Sequence, residues 1–495
     1  DKIPSDGEIT IPSNVTEIGE KAFYDCDYLL SVVIPNSVTT IGKQAFYSCY
    51  RLKNIKLPEN LISIGEEAFA SSESLTDIII PKGVTSIEKA AFSRSNIKKL
   101  IIPEGVKNVG ESAFSSCKNL KTLQIAGSVE TFGDNVFLYC ENLTDVVIAK
   151  GVKIIENRMF YGCRNLSNVD MPNTITEIGK EAFAYCAGLT NVIIPNSVKI
   201  IGGAAFKDCT KLTNAILSNS LLNISVYAFQ NCTSLNSIKI PNSVTRIEER
   251  AFENSGIESV EFGNSLQKIE KATFIHCSGL VAVNIPNTVK EIEGNAFNSC
   301  NNLKTVQIAG SVETIGEQAF AYCTALATVT LNNGIKTIGN RVFANCSSLT
   351  KIVVPDSVRN MGVGVFGDCS ALESAKLSEK VTIIPNGTFG NCYSLKNIEF
   401  SNSLTHVSCY AFQNCKSLTT ITFPKTISGI CYSYNSSPFI DCTNLKTVNI
   451  KGTIPFGLYP ILGYTQATVY VPEGSLEAYQ NNNNSSYKDR IKALK

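Results

Sequence analysis

The chain has 495 residues, with 44 Lys plus Arg against 43 Asp plus Glu, a net charge of +1 and 18 Cys. With no basic excess to neutralise a phosphate backbone, nucleic acid is not an expected partner. Apolar residues make up 44% and charged residues 18%, enough for an ordered core, and no stretch approaches the ~20 uninterrupted apolar residues of a membrane span.

Along the chain one residue sets the phase. Phe recurs every 23 residues from Phe23, Phe46, Phe69 and Phe92 to Phe412. Two steps, Phe92 to Phe114 and Phe252 to Phe274, take 22 residues, and a looser copy places Phe439 after 27. Only stacked copies of one unit keep an aromatic in phase for so long, so the expectation of several globular domains gives way to a solenoid.

The unit is read from Leu29 to Cys49. It runs Leu29-x-x-Val32-x-Ile34-Pro35, then Val38-x-x-Ile41-Gly42-x-x-Ala45-Phe46-x-x-Cys49. Val32 and Ile34 alternate with Val33, the period of a short strand with one face inward. Pro35 lacks an N–H and ends the strand's hydrogen bonding. Val38 and Ile41 form a second apolar step, read as an extended or turn segment. The spacing Ala45-Phe46-x-x-Cys49-x-x-Leu52 predicts one or two turns of α- or 3₁₀-helix on the opposite side. The glycine slot after the second Ile holds Glu88, Glu156 or Pro385 in other copies, so no positive φ is required there.

The strand pair recurs as Ile9/Ile11, Ile55/Leu57 and Ile78/Ile80, and so on to Val448/Ile450, with Val469-x-Val471 as a last strand. At both 22-residue steps Ser95 or Ser255 replaces the usual Cys and one residue is missing before Ile97 or Ile257. Loops tolerate such losses; strands do not. Residues 1–450 are therefore read as one solenoid of about 19 repeats and residues 451–495 as an irregular segment with a C-terminal cap. Tyr432, Tyr434, Phe456, Tyr459 and Tyr464 cluster in the irregular parts, as capping hydrophobes or as a local binding site.

Sixteen Cys share one slot, three residues after Phe, and Cys409 and Cys431 lie off register. There is no C-x-x-C and there are two His, so zinc and iron–sulfur sites lack their spacings, and no metal or cofactor is expected. Two readings stay open: a ladder of buried thiols each donating to a nearby carbonyl, or disulfides between adjacent rungs. His276 beside Cys277 invites a Cys–His nucleophile, but the other Cys of the slot have no such His. Paired carboxylates such as Glu66-Glu67 and Glu248-Glu249 read as solvated charge. No catalytic constellation emerges, and the chain is read as a non-enzyme. Asn-x-Ser/Thr triplets at Asn14, Asn142, Asn223 and Asn435 are expected by chance in this composition.

The surface that a solenoid offers is its concave sheet. The outward strand position reads Val33, Lys56, Ile79, Ile101, Gln124, Val147, Asp170, Ile193 and Ile216, then turns mainly polar from Lys239 to Asn449. Either Val and Ile simply favour strands, or Val33, Ile79, Ile101, Val147, Ile193 and Ile216 form an apolar binding patch. No aromatic sits in this column, so a protein partner fits it better than a sugar or a single-stranded nucleic acid.

The unit Leu189-x-x-Val192-x-Ile194-Pro195-Asn196-Ser197-Val198-x-x-Ile201-Gly202-x-x-Ala205-Phe206-x-x-Cys209 resembles the BspA-like leucine-rich repeat. The likeness spans about residues 8–450, and the segment Val469 to Tyr479 looks like that family's closing segment. The resemblance implies a β-rich α/β solenoid: a right-handed leucine-rich-repeat superhelix with a parallel concave sheet and short helical or 3₁₀ turns opposite. It also implies a secreted or cell-surface protein that mediates adhesion, with a host matrix or neighbouring-cell surface protein as ligand. A structural spacer that displays another module is the alternative. The chain starts at Asp1 without an apolar leader, so a signal peptide or wall anchor could have been removed.

Overall fold

A computed structural model describes residues 6–431 and 436–494. Tyr432, Tyr434 and Asn435 of the sequence reading lie outside the described residues. Two compact units are distinguished, Asp1–Thr245 and Arg246–Lys495.

In the first unit each repeat contributes one rung, and successive rungs pair in parallel. Glu8–Thr10, Ser31–Val33 and Asn54–Lys56 form one ladder, with Ile9 opposite Val32 and Val32 opposite Ile55. Lys99–Ile102, Thr122–Ile125, Asp145–Ile148 and Asn168–Asp170 form another. Side chains alternate as the period of two requires: Leu123 and Ile125 are buried, whereas Thr122 and Gln124 are not. The rung at Ile78–Ile80 keeps this alternation but is not a strand, so the expected pairing is interrupted there.

The second apolar step is also extended. Two-residue strands at Glu17–Ile18, Thr40–Ile41, Ser63–Ile64, Ser86–Ile87, Asn108–Val109 and Thr131–Phe132 stack into a second parallel sheet, with Ile41 opposite Ile64. The 22-residue step leaves the second sheet in register, Ile87 facing Val109, and the first ladder resumes beyond it with Lys99 facing Thr122. The missing residue thus falls in the connecting turn.

The expected helical turns are corrected by the structure. Residues two before and two after each Phe of the column from Phe23 to Phe412 adopt left-handed backbone: Gln44 has φ 52° and Ser48 φ 55°, and Glu67 and Ser71 repeat the pair at 53° and 59°. An α-helix needs φ near −60° throughout. The amides of Gln44, Phe46 and Ser48 instead donate to Glu66, Ala68 and Ala70 of the next rung at 2.8–2.9 Å. Between them Ala45 and Tyr47 close short turns onto Gly42 and Gln44. The turn side is therefore a third ladder between rungs. Among the described residues the repeats form a parallel β-solenoid without helices, and short helices occur only after the last repeat, at Tyr459–Leu462 and Leu476–Asn481, with 3₁₀ turns at Glu473–Ser475 and Ser485–Arg490.

The Phe column is the axis of the core. Phe46 to Phe229 are buried in the first unit, and successive rings stack almost parallel with centroids 5.0–5.7 Å apart. Each ring contributes about 2–3 kcal/mol by burial and about 1 kcal/mol by stacking. Asn and Asp recur in the left-handed slot after Phe, where their short side chains tolerate positive φ. They bond along the stack, Asn231 to Asp208 at 2.9 Å in the first unit and Asn391 to Asp368 at 2.8 Å in the second.

The second unit repeats the plan. Its regular rungs end in a four-stranded parallel sheet of Thr420–Phe423, Thr447–Ile450, Thr468–Val471 and Ile491–Ala493. After the last repeat Tyr479 is fully buried, donating to the carbonyls of Gly452 and Ile454 and meeting Phe456 edge-on at 5.8 Å. Arg490 donates to the carbonyls of Leu462, Thr465 and Ala467. Phe456 thus packs as a capping hydrophobe. Tyr459 stays exposed and touches Tyr464 and Tyr487 by ring edges.

Candidate binding surface

Strand alternation determines which side chains can meet a partner. In the rung Asn191–Ile193, Val192 faces the core and Ile193 is 65% exposed. Val33, Ile79, Ile101, Val147 and Ile216 are likewise exposed, Ile79 the most at 86%. The register resolves them into smaller groups. Ile193 lies directly opposite Ile216, whereas Gln124 separates Ile101 from Val147. Lys56 lies opposite Val33, and Val33, Lys56 and Ile79 line an open groove of about 850 Å³ with Glu59 and Asp77 at its polar edge. A second groove of about 440 Å³ surrounds Ile193 and Ile216, with Asn196, Asn219 and Lys239 on its rim. In the second unit the same column is mostly polar, and Lys376 pairs with Glu399 at 3.7 Å.

A further set of exposed apolar residues escaped the sequence reading: Ile62, Ile154, Ile200, Leu222 and Ile383, on or beside the two-residue strands. Ile154 and Ile200 face the two sides of Glu177. Their alternation with buried Ile155 and Ile201 is the signal that could have found them.

The cysteine slot is a thiol ladder. Cys209 donates to the carbonyl of Phe183 at 3.2 Å, Cys232 to that of Phe206 at 3.2 Å, and Ser72 makes the same bond to Phe46 at 3.1 Å. The sixteen Cys of this slot are unbridged. The disulfide instead joins the two off-register residues, Cys409 and Cys431, whose Cα atoms are 5.2 Å apart on neighbouring rungs. Their separation of 22 residues, one rung, was the available signal. Burial pushes the thiols of Cys49, Cys277, Cys369 and Cys442 up to about 12, away from nucleophilic thiolate. Cys277 directs its hydrogen to the carbonyl of Phe252 at 3.1 Å, and the neighbouring His276 sits exposed in a left-handed turn. The two do not form a dyad. Glu66 of the paired carboxylates meets Lys43 at 2.9 Å in solvent. Among the described residues no cluster of three His, Cys, Asp or Glu could hold a metal ion, and no helix is long and apolar enough to cross a membrane.

Short parallel strands repeated in every copy of the unit, with Leu52, Leu75 and Leu120 buried at a fixed slot, define a leucine-rich-repeat solenoid. The chain belongs to the family described as BspA type leucine rich repeat region (6 copies), which matches residues 5–121, 130–258, 199–327, 247–373 and 360–456. It is similar to the crystal structure of a leucine-rich repeat protein from Bacteroides ovatus ATCC 8483, at 28% identity and TM-score 0.52 over 79% of this chain and 91% of that one. It is also similar, at 30% identity, to a leucine rich cell surface protein from Faecalibacterium prausnitzii A2-165, over 61% of this chain and 88% of that one with TM-score 0.41. Among curated proteins none matches. Fold and family are those of repeat scaffolds.

Proposed function

We propose that this protein is a non-catalytic, exported cell-surface scaffold that captures a protein partner through the outward strand residues Val33, Ile79, Ile101, Val147, Ile193 and Ile216. The observation that carries the reading is the exposure of six β-branched apolar side chains in one strand column. Isolated exposed apolar residues are ordinary; groupings such as Ile193 directly opposite Ile216, and Val33 sharing a groove with Ile79, are what protein interfaces use. Neighbouring Lys56, Asp77 and Lys239 supply the polar rim. A cell-surface location is supported by the BspA-type repeat and by the surface protein of Faecalibacterium prausnitzii. Residues 1–450 are taken as one solenoid domain and 451–495 as its closing segment. The expected partner class is a host matrix protein or a surface protein of a neighbouring cell.

The test is capture on immobilised extracellular matrix proteins and on host-cell surfaces. Replacing Ile79, Ile101, Ile193 and Ile216 by Lys should abolish capture with the melting temperature preserved. Capture unchanged by the four substitutions, or absent from the unsubstituted chain on all these surfaces, would favour the spacer reading.

A further inference from the structure

A second surface lies on the turn side of the second unit, where the rungs of Phe366 and Phe389 depart from the repeat. Two residues before Phe and one residue after it, the neighbouring rungs carry side chains: Gln318 and Ala321, Arg341 and Ala344, Tyr410 and Gln413. The two central rungs have glycine in both slots, as Gly364 with Gly367 and Gly387 with Gly390. No other repeat has glycine in either slot.

The backbone does not require these glycines. Gly364 and Gly387 have φ of 63° and 60°, but Gln318, Arg341 and Tyr410 hold the same slot at 54°, 52° and 57°. A Cβ on Gly387 would meet nothing within 4 Å, and one on Gly390 nothing nearer than 3.4 Å. What the glycines do is remove side chains, and the result is a groove of about 360 Å³. That is within the range of small-molecule sites. Beneath it the Phe stack widens, from centroid spacings of 5.1–5.3 Å between Phe252 and Phe320 to 5.6–5.9 Å between Phe320 and Phe412.

The walls define the chemistry. Tyr322 lines the groove at one end with its ring half exposed, and Tyr410 lines it four rungs further on. At roughly 4.8 Å per rung this is a run of about 19 Å. Arg341 is exposed and enters no ion pair among the described residues, so its five donors face solvent at the groove. Asp368 accepts one bond, from Asn391 at 2.8 Å, and keeps acceptor capacity. Asn391 in turn accepts from Asn414 at 2.8 Å, which fixes the orientation of its amide. Donors and acceptors thus alternate along a channel with a ring at each end.

We propose that this groove binds a short oligosaccharide lying along the stack. Hydroxyls that both donate and accept match Arg341, Asp368 and Asn345, and the C–H faces of sugar rings pack on tyrosine. An anionic ligand such as sulfate would face the Asp368 carboxylate, and an apolar one would strip water from the polar groups without replacing its hydrogen bonds. This site is separate from the strand column of the first unit, and its failure would leave that reading untouched.

The experiment is saturation-transfer NMR of the full chain with maltotriose, cellotriose and triacetylchitotriose. Transfer to at least one trisaccharide is expected. The double substitution Gly367→Gln with Gly390→Gln, which places in both rungs the residue that Gln413 already supplies, should weaken that binding at least tenfold at an unchanged melting temperature. Tyr322→Asn, the side-chain type that Asn345 carries in the same slot, should weaken it as well, and decides the matter if the double variant does not fold. No transfer to any of the three sugars, or equal affinity in a folded variant, overturns the proposal.

Discussion

The thiol of Cys209 donates to the carbonyl of Phe183, 3.2 Å away in the preceding rung, and the same bond recurs from Cys49 to Cys442. The Phe carbonyl already accepts a turn bond, from Cys186 to Phe183 at 3.2 Å, and the thiol fills its second lone pair. Size and a single donor are all that the slot asks for, as Ser72 demonstrates. Cys209→Ser should therefore change stability by no more than about 1 kcal/mol. Cys209→Val adds bulk where rungs already touch and removes the donor, at about 1–3 kcal/mol. Urea unfolding measures both, and equal losses would show that the hydrogen bond contributes nothing.

The ladder also dictates a response to alkali. Burial raises the thiols of Cys49, Cys277, Cys369 and Cys442 from 9.0 to about 12. A thiol whose proton is held more tightly in the folded state contributes stability that is intact below pH 9. That stability falls as pH rises toward 12, because only the unfolded chain ionises in that window. The slope is about 1.4 kcal/mol per pH unit for each such thiol. The melting temperature should be flat from pH 7 to about 8.5 and drop steeply beyond it. A Cys277→Ser/Cys369→Ser chain should drop less steeply, and an identical pH profile would remove the thiols as the cause.

The disulfide between Cys409 and Cys431 is partly exposed, whereas the ladder thiols after Cys26 are buried. A reductant acting on the native chain should open this bridge and leave the packed thiols shielded. Alkylation with and without prior mild reduction should differ by two groups per chain, read by mass spectrometry. Closing a loop of 22 residues stabilises by about 3 kcal/mol in the chain-entropy account. Cys409→Ser with Cys431→Ser should lose about that much, and alkylation of many ladder thiols in the native, unreduced chain would mean that the ladder is open to solvent.

The pattern of strands and the Phe column were legible because each depends only on which side chains face inward. Val32, Ile34 and Phe46 state that at a fixed period, and copies of one unit must stack. The turn side was not legible. Gln44, Ser48, Glu67 and Ser71 carry no mark of left-handed backbone, and the spacing from Ala45 to Leu52 imitates a helix. Their conformation is imposed by amides that bond to the next rung rather than along the chain. The Cys409–Cys431 pair was written in a one-rung separation, overshadowed by sixteen cysteines in a regular slot. The outward strand residues were placed by alternation alone, and Ile79 and Ile193 are exposed as that rule requires. The grooves beside them depend on packing between rungs, which no single repeat encodes.

Adjacent residues of one strand test that alternation directly. Ile193 is 65% exposed and Val192 4%. Ile193→Lys should alter stability by no more than about 0.5 kcal/mol, as surface changes do. Val192→Lys forces an ammonium into the stack and should cost about 3–5 kcal/mol or prevent folding. Thermal unfolding of the two single variants is the measurement, and comparable losses would mean that Ile193 is covered in solution.

Ser116 distinguishes the left-handed turn from the helix that the spacing suggested. Its φ is 59°, its amide donates to the carbonyl of Leu138 at 2.6 Å, and its neighbours Ser115 and Cys117 are buried. At positive φ glycine is unstrained, whereas a β-branched side chain meets its own carbonyl and is penalised by about 1–2 kcal/mol. Ser116→Gly should thus hold or raise stability, and Ser116→Val should lower it by about that amount. In a helix the order reverses, because glycine is about 0.5 kcal/mol worse than Val there. Urea midpoints for the two variants separate the cases, and a more stable Val variant would restore the helical turn.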